Sequence, residues 1–173
     1  MIRCFSMNKL YSIIISDAGE ITVDEVLSKL ALSNLQNIGT KDFYDAQFIS
    51  KGIGIGKYED KVIIVEDSKV FDFLLEEIGS FEKNVYSIFP ESTISVFYSY
   101  SVADIYGFSI INNSKRERTL YTIENKTLTD IGGKLDVEYI NQDLGMSDLI
   151  DFMLYKLFGG EQVLDNISIG IYG

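Results

Sequence analysis

The sequence predicts a single α+β domain over residues 1–173, with a mostly antiparallel sheet and about three helices packed on one of its faces. Amphipathic segments with recognisable helix caps are interspersed with strand-like segments, and several of the latter are joined by short turns. The length of 173 residues fits one domain, and 46% hydrophobic with 24% charged residues is typical of a globular protein.

The N-terminal part of the chain predicts a strand followed by a helix. Residues 10–16 are rich in β-branched side chains and form the first expected strand. Thr22 and Glu25 have the spacing of a capping box, which marks the start of a helix. Apolar residues follow at helical spacing, and we expect this helix to end near Ser33. Residues 35–51 are compatible with either a short strand or a packed loop.

The next predicted elements are a hairpin and a second helix. Residues 52–58 and 61–66 are two strand-like segments separated by a short turn, as in a β-hairpin. Asp67 or Ser68 is placed to cap a helix that ends before Gly79, a residue type common just beyond helix C-termini. The buried face of this helix is expected to contain Phe71, Leu74, Leu75 and Ile78.

The central part of the chain is rich in predicted strands. Residues 81–89 favour one or two further helical turns, which Pro90 ends. Large side chains alternate with smaller ones over residues 94–101, and this period of two predicts a half-buried strand. Residues 106–111 and 118–124 flank a polar Asn-Asn-Ser-Lys-Arg turn, which predicts a second hairpin.

The C-terminal part predicts a short strand, a helix and a closing strand. Residues 128–131 form the short strand, and the acidic residues 136–143 are expected to form an exposed loop. Ser147 is placed to cap the last helix, which ends at the glycine pair after Phe158. Residues 167–172 form the closing strand. The core stripe of the last helix is expected to contain Ile150, Met153, Leu154 and Leu157.

The composition excludes several kinds of active site. The chain has no histidine, which rules out Ser-His-Asp and Cys-His catalysis and zinc sites of the His-Glu-x-x-His type. The single cysteine, Cys4, supports neither an internal disulfide nor a Cys-x-x-Cys metal site. We expect no structural metal and no bound cofactor.

The net charge is −11, from 15 Lys and Arg against 26 Asp and Glu. An acidic body repels phosphate backbones, so we expect no nucleic-acid binding, and it attracts basic partners. Solubility alone also explains such a charge. No apolar segment is long enough to cross a membrane, and a lone Cys4 fits a reducing compartment, so we expect a cytoplasmic protein.

Three groups of residues are candidates for binding. Gly52, Gly54 and Gly56 leave one side of a strand bare, which allows either close packing or a ligand surface that includes Gly54. A strand and not a helix follows these glycines, and no Gly-Lys-Ser/Thr ending is present, which weighs against a phosphate-binding loop. Tyr98 and Tyr100 share one side of their strand, as partner anchors or as core residues.

The basic cluster is the third candidate. Lys115, Arg116 and Arg118 stand at the expected tip of the second hairpin. Arginine offers a planar fork of donors, so this cluster either grips an anionic group or keeps the hairpin tip solvated.

Residues 94–138 contain a pattern that resembles a group of uncharacterised bacterial proteins. A strand with a Tyr-Gly pair at Tyr106 and a strand with Arg116 and Arg118 flank a polar turn, and a glycine pair at Gly132 and an acidic tail follow. The group has no established activity, so the resemblance assigns no catalytic role to any residue.

Two functions of different classes fit these features. The first is a non-catalytic interaction module, such as an immunity or antitoxin-like protein whose acidic surface masks a basic partner. The alternative is a small-molecule-binding domain, or a carboxylate-dependent hydrolase, in a cleft beside residues 52–56. The lack of histidine weighs against an enzyme without excluding one, since carboxylates, lysine and tyrosine also transfer protons.

Overall fold

The computed structural model describes residues 9–173, so Cys4 lies outside the described residues. Its central feature is a nine-stranded sheet whose neighbouring strands are all antiparallel, which confirms the expected sheet type. The strands are β1 (Lys9–Ser16), β2 (Asn37–Asp42), β3 (Ile53–Tyr58), β4 (Lys61–Val65), β5 (Thr93–Tyr100), β6 (Ile105–Asn112), β7 (Lys115–Ile123), β8 (Lys126–Gly132) and β9 (Ser168–Tyr172). The helices are α1 (Val23–Lys29), α2 (Phe43–Ala46), α3 (Asp67–Phe71), α4 (Ser80–Ile88), α5 (Asp136–Ile140), α6 (Met146–Phe158) and α7 (Glu161–Leu164).

The first strand of the chain, β1, lies in the middle of the sheet. The order across the sheet is β2-β9-β3-β4-β1-β5-β6-β7-β8. On one side of β1, the strands β5 to β8 follow one another as an antiparallel meander. On the other side, the last strand β9 inserts between β2 and β3. The first strand, the closing strand and both hairpins predicted from the sequence are confirmed.

Helices cover both faces of the sheet, which corrects the expectation of a single helical face. On one face, Phe71 of α3 packs on Tyr98, with ring centroids 4.9 Å apart. On the other face, Phe97 and Met153 of α6 line the same cleft. Tyr98 and Phe97 are successive residues of β5, so their side chains point to opposite faces. The prediction that β5 is half-buried was also wrong, because Ser95, on the side of the strand that was expected to face solvent, is buried.

The first predicted helix is confirmed at its start and is shorter than expected. The Glu25 N–H donates to Thr22 Oγ1 at 3.2 Å, and the Thr22 N–H donates to Glu25 Oε2 at 2.7 Å, which completes the capping box. α1 ends at Lys29 and not near Ser33. Ala31 has a φ of 58°, so the backbone leaves the helical path there.

The second predicted helix ends earlier than expected, and α4 occupies the segment 81–89 where the sequence predicted separate helical turns. α3 ends before Asp72, and Gly79 stands before the first residue of α4, with a φ of −70°. Gly79 therefore begins a helix, whereas the sequence analysis placed it at a helix end. The Asp72 carboxylate accepts a hydrogen bond from the Phe81 N–H at 2.6 Å, which attaches the connection to the first turn of α4.

Because α3 ends at Phe71, part of the helix face that was expected to be buried is exposed. Leu75 is 48% exposed and Ile78 is 44% exposed, so both predictions were wrong. Leu74 is fully buried, as predicted, and packs on β6, where its Cδ1 would lie 3.0 Å from a Cβ added at Gly107.

The expected acidic loop contains the helix α5. The Leu135 N–H donates to Glu138 Oε2 at 2.7 Å at the start of this helix, and Glu138 is buried. α6 follows with Gly145 as its N-cap, although Ser147 was predicted in that role. Gly159 ends α6 in the left-handed conformation, with a φ of 79°, as a C-terminal glycine is expected to.

Two short segments complete the comparison with the sequence. The ambiguous residues 35–51 form the edge strand β2, which is exposed along its whole length, and the short helix α2. The turn between β6 and β7 is only Asn113 and Ser114, with φ values of 49° and 60° that are typical of a type I′ hairpin. Lys115 and Arg116 therefore belong to β7. Within residues 9–173, no helix has the length and apolar character needed to cross a membrane.

Adjacent leucines test the burial of the segment after α3. We expect Leu74→Ala to lower the free energy of unfolding by about 2–5 kcal/mol, because the side chain leaves a cavity against the sheet. Leu75→Ala, the matched control, should cost less than about 1 kcal/mol, since half of that side chain is already in water. Urea unfolding at neutral pH measures both, and equal losses would contradict the packing described here.

Candidate functional site

The two arginines of the basic cluster lie on opposite faces of the sheet. Arg118 of β7 pairs with Ile110 of β6, and Arg116 pairs with the next residue, Ile111, so Glu117 is an extra residue in β7. Such a β-bulge breaks the alternation of side chains along the strand. The sequence contained no marker of this bulge, and the two arginines were therefore treated as one patch.

Arg116 holds the α3–α4 segment against the sheet. Its Nε donates to Glu82 Oε1 of α4 at 2.8 Å, and a second nitrogen donates to the Asp72 carbonyl oxygen at 3.0 Å. It also donates to the Leu75 carbonyl, and the Tyr86 hydroxyl donates to Glu82. The carbonyls of Asp72 and Leu75 accept these bonds because the interruption between α3 and α4 leaves them free of a helix.

Arg118 performs the corresponding task on the other face. Its guanidinium donates to both carboxylate oxygens of Glu138 in α5, at 2.9 Å and 3.0 Å, and to Asp130 of β8. Burial by itself would lower the pKa of Arg118, but the hydrogen bonds that it donates to Glu138 and Asp130, and the charges of these carboxylates, raise the pKa above the ordinary arginine value. The Arg118 side chain is 2% exposed and the Glu138 side chain 6%, so their hydrogen bonds are made inside the protein, whereas Asp130 is 61% exposed.

These contacts correct the expected position of the basic cluster. The prediction that Arg116 and Arg118 lie exposed at a hairpin tip was wrong, because both side chains are buried and paired with carboxylates. Lys115 is exposed at the start of β7. An anion-binding role at this tip therefore remains a prediction for Lys115.

The bare side of the glycine strand is covered by β9. A Cβ added at Gly54 would lie 2.8 Å from Ile169 Cγ2 and 3.1 Å from Val65 Cβ, and one at Gly56 would lie 2.5 Å from Ile169 Cδ1. Real Cβ atoms do not approach other atoms this closely. These contacts support the packing interpretation of Gly54 and Gly56.

Tyr98 and Tyr11 are buried tyrosines that lie near the partly exposed carboxylates Glu66 and Asp67. The Tyr98 hydroxyl is hydrogen-bonded to Asp67, the first residue of α3, and burial followed by this carboxylate raises the pKa of Tyr98. Tyr11 pairs with Tyr98 across β1 and β5, and burial, Asp67 and Glu66 raise the pKa of Tyr11 to about 12. The ring of Tyr98 is thus packed in the core, and its hydroxyl makes a polar contact with Asp67.

A pocket of about 300 Å³ opens beside these residues. The ammonium of Lys9, which lines the pocket, lies 4.9 Å from the centroid of the Tyr11 ring and 5.9 Å from that of the Tyr100 ring. Tyr100, the other tyrosine predicted as a partner anchor, thus contacts a residue that lines the pocket. The pocket borders the glycine strand at Gly52, next to Lys51.

An apolar surface on α5 and α6 was not predicted from the sequence. We call it the α5–α6 surface and define it by four exposed side chains, Tyr139, Ile140, Leu144 and Phe152. Asp136, Asp143 and Asp148 are exposed within the same stretch, and residues 135–155 contain no Lys or Arg. The signal in the sequence was the lack of basic residues in a segment that alternates apolar and acidic side chains.

A cleft of about 500 Å³ lies between the sheet, the start of α5 and α6. Phe97 of β5, Val137 of α5 and Leu157 of α6 line it together with Lys61 and Lys156.

Comparisons of the chain with family models, with curated proteins and with solved structures found no match. Among residues 9–173, no three acidic or cysteine side chains are grouped so that they could hold a metal ion. The interpretation of the site therefore depends on the geometry of this chain alone.

Substitution of Arg118 tests its structural role. We expect Arg118→Met to lower the free energy of unfolding by about 3–5 kcal/mol, because the Glu138 carboxylate is left buried without its partner. A second change, Glu138→Gln, should restore part of this loss, since it removes the unpaired charge and keeps a hydrogen-bonding group. Lys115→Met is the exposed control on the same strand, and urea unfolding of the four proteins gives the comparison. A loss for Arg118→Met no larger than that for Lys115→Met would refute the role.

The buried tyrosines predict a loss of stability in alkaline solution. In the unfolded chain Tyr11 titrates near its ordinary pKa of about 10, whereas in the folded protein the value is raised to about 12. The unfolded state therefore releases its proton first, and stability is full below about pH 10 and falls as the pH rises to about 12. Urea unfolding across this range should show a shallower fall for Tyr11→Phe. The exposed control Tyr139→Phe should keep the slope of the unaltered protein, and equal slopes for all three would contradict the assignment.

Proposed function

We propose that this protein is a non-catalytic interaction module that binds a basic protein partner, in the manner of an immunity or antitoxin-like protein. The observation that carries the proposal is the α5–α6 surface. Four of the ten large hydrophobic side chains that are exposed within residues 9–173 fall in this one segment, among exposed carboxylates, with the Lys134 ammonium 6.0 Å from the centroid of the Tyr139 ring. Apolar groups grouped on a surface and surrounded by polar ones are typical of a protein interface.

The charge of the remaining surface supports the same proposal. Arg116 and Arg118 are each paired with a buried glutamate, so the two pairs cancel and the net charge of −11 is carried by the other side chains. A negative potential of this kind increases the rate at which a positively charged protein arrives. The charge thus accounts for the encounter and selects partners by sign.

The apolar side chains account for the lifetime of the complex. Ile140 is 79% exposed and therefore has much apolar area left to bury, and Tyr139 adds a rigid ring with a polar end. Binding energy in protein interfaces is concentrated in a few such residues, and their loss acts mainly on the dissociation rate. The cleft between α6 and Val137 offers room for a side chain of the partner.

A second candidate function, small-molecule binding, is supported by the pocket beside Gly52. Its carboxylates already have structural tasks: Glu66 accepts from the Lys69 N–H at 2.7 Å as the cap of α3, and Asp67 is hydrogen-bonded to Tyr98. These tasks favour binding over a hydrolytic role for the two carboxylates.

The interaction is tested by substitutions of two equally exposed residues. Ile140→Asp places a charge on the α5–α6 surface at a residue that is 79% exposed, and Val102→Asp places one at a residue that is 78% exposed in the turn after β5. The tagged proteins are used to capture partners from native lysate at low salt, and a recovered basic protein is purified for binding kinetics. We expect Ile140→Asp to increase its dissociation rate about tenfold or more and Val102→Asp to leave it unchanged.

Salt and charge reversal test the electrostatic part of the same interaction. The association rate should fall steeply between about 50 mM and about 500 mM salt, because exposed charges are screened over about 8 Å at physiological ionic strength. Asp143→Lys combined with Asp148→Lys should lower the association rate at low salt and reduce its dependence on salt. Failure to recover any basic protein, or equal binding by the Ile140→Asp and Val102→Asp variants, would remove the proposal.

A further inference from the structure

The pocket beside Gly52 lies where several strands end. Lys9 and Tyr11 reach it from β1, and Glu66 and Asp67 reach it from the junction of β4 with α3. The loop that precedes β3 forms the opposite wall. Tyr11 pairs with Tyr98 and therefore faces α3, so the pocket and the α5–α6 surface lie on opposite sides of the sheet.

The walls of the pocket are held in place by specific contacts. Gly52 has a φ of 87°, and a Cβ at this position would lie 2.3 Å from the Tyr172 carbonyl oxygen, so the loop can turn here only with glycine. The amide of Gln47 accepts from the Tyr11 N–H at 2.9 Å and donates to Ser12 Oγ at 3.1 Å. These contacts fix the start of β1 beyond the end of β4, so the pocket exists before any ligand arrives.

The pocket carries charges of both signs that do not neutralise each other. Within residues 9–173, neither Lys9 nor Lys51 has a carboxylate at salt-bridge distance. Lys9 is instead held over the rings of Tyr11 and Tyr100. Asp67 receives the Tyr98 hydroxyl, but its Oδ1 is buried and, in the described part of the chain, has no hydrogen-bond partner.

We infer that this pocket binds a small zwitterion of the α-amino acid class. The carboxylate of such a ligand pairs with Lys9 and Lys51, and its ammonium pairs with the Glu66 and Asp67 carboxylates that line the pocket, because charge-assisted hydrogen bonds are the strongest available to each group. The side chain of the ligand lies against Tyr11 and Ile49. A volume of about 300 Å³ accommodates a molecule of this size. This inference does not depend on the proposed protein partner.

The first experiment measures which charges a ligand must carry. The full-length protein is screened by thermal shift against the standard L-amino acids, and the ligand that stabilises it most is compared with its decarboxylated amine and its deaminated acid by calorimetry. We expect the amino acid to bind about tenfold or more tightly than either analogue, since each analogue leaves one charged group of the pocket unpaired. Absence of binding by every amino acid at millimolar concentration, or equal binding by an analogue, would overturn the inference.

The second experiment assigns the binding to this pocket. Asp67→Asn and Lys51→Gln should each weaken binding of the selected amino acid about tenfold. Their controls are Asp24→Asn, which changes an acidic residue in the first turn of α1 as Asp67 does in α3, and Lys41→Gln on the exposed edge strand β2. Thermal unfolding without ligand verifies that each variant is folded. Loss of binding in a control, or full binding by Asp67→Asn, would place the ligand elsewhere.

Discussion

A bulge of one residue in β7 determines how the helices are held on the two faces of the sheet. Glu117 is the extra residue, and it turns Arg116 toward α4 and Arg118 toward α5. In a regular strand both arginines would point to the same face, and one buried glutamate would have no partner. Gly132 of β8 makes the bulge possible, because a Cβ there would lie 1.8 Å from the Glu117 carbonyl oxygen.

The two buried ion pairs contribute orientation more than free energy. Desolvation offsets much of the attraction between a buried arginine and a carboxylate, so apolar packing provides most of the stability. Apolar packing is not directional, however, whereas a guanidinium that donates to both oxygens of Glu138 accepts one geometry. Arg116 likewise donates to the Asp72 carbonyl oxygen, which lies outside a helix because α3 and α4 are separate. The connection between these helices and the position of α5 therefore depend on the same strand.

Features determined by neighbouring residues could be predicted from the sequence, and features determined by distant pairings could not. The capping box of Thr22, the hairpins and the terminal Gly159 depend on local contacts, and all were found. The second helical layer depends on the burial of both sides of β1, where Ile13, Ile14 and Ile15 are consecutive and fully buried. This run of three isoleucines was the signal for a sheet buried on both sides, but the alternation of side chains in β5 favoured a sheet with one exposed face. The burial of the arginines had no signal, because Glu138 lies in a segment that was expected to be exposed and nothing in the sequence linked Glu82 to Arg116.

The net charge connects the two proposed sites. A charge of −11 favours a basic protein at the α5–α6 surface, and it also opposes the approach of any small anion to the rest of the molecule. Lys9 and Lys51 would otherwise suit a phosphate or a dicarboxylate, but such a ligand would meet both this field and the adjacent Asp67. A zwitterion has no net charge to be repelled and satisfies the lysines and the carboxylate together. The sheet separates the two sites and they share no residue, so occupation of one need not exclude occupation of the other.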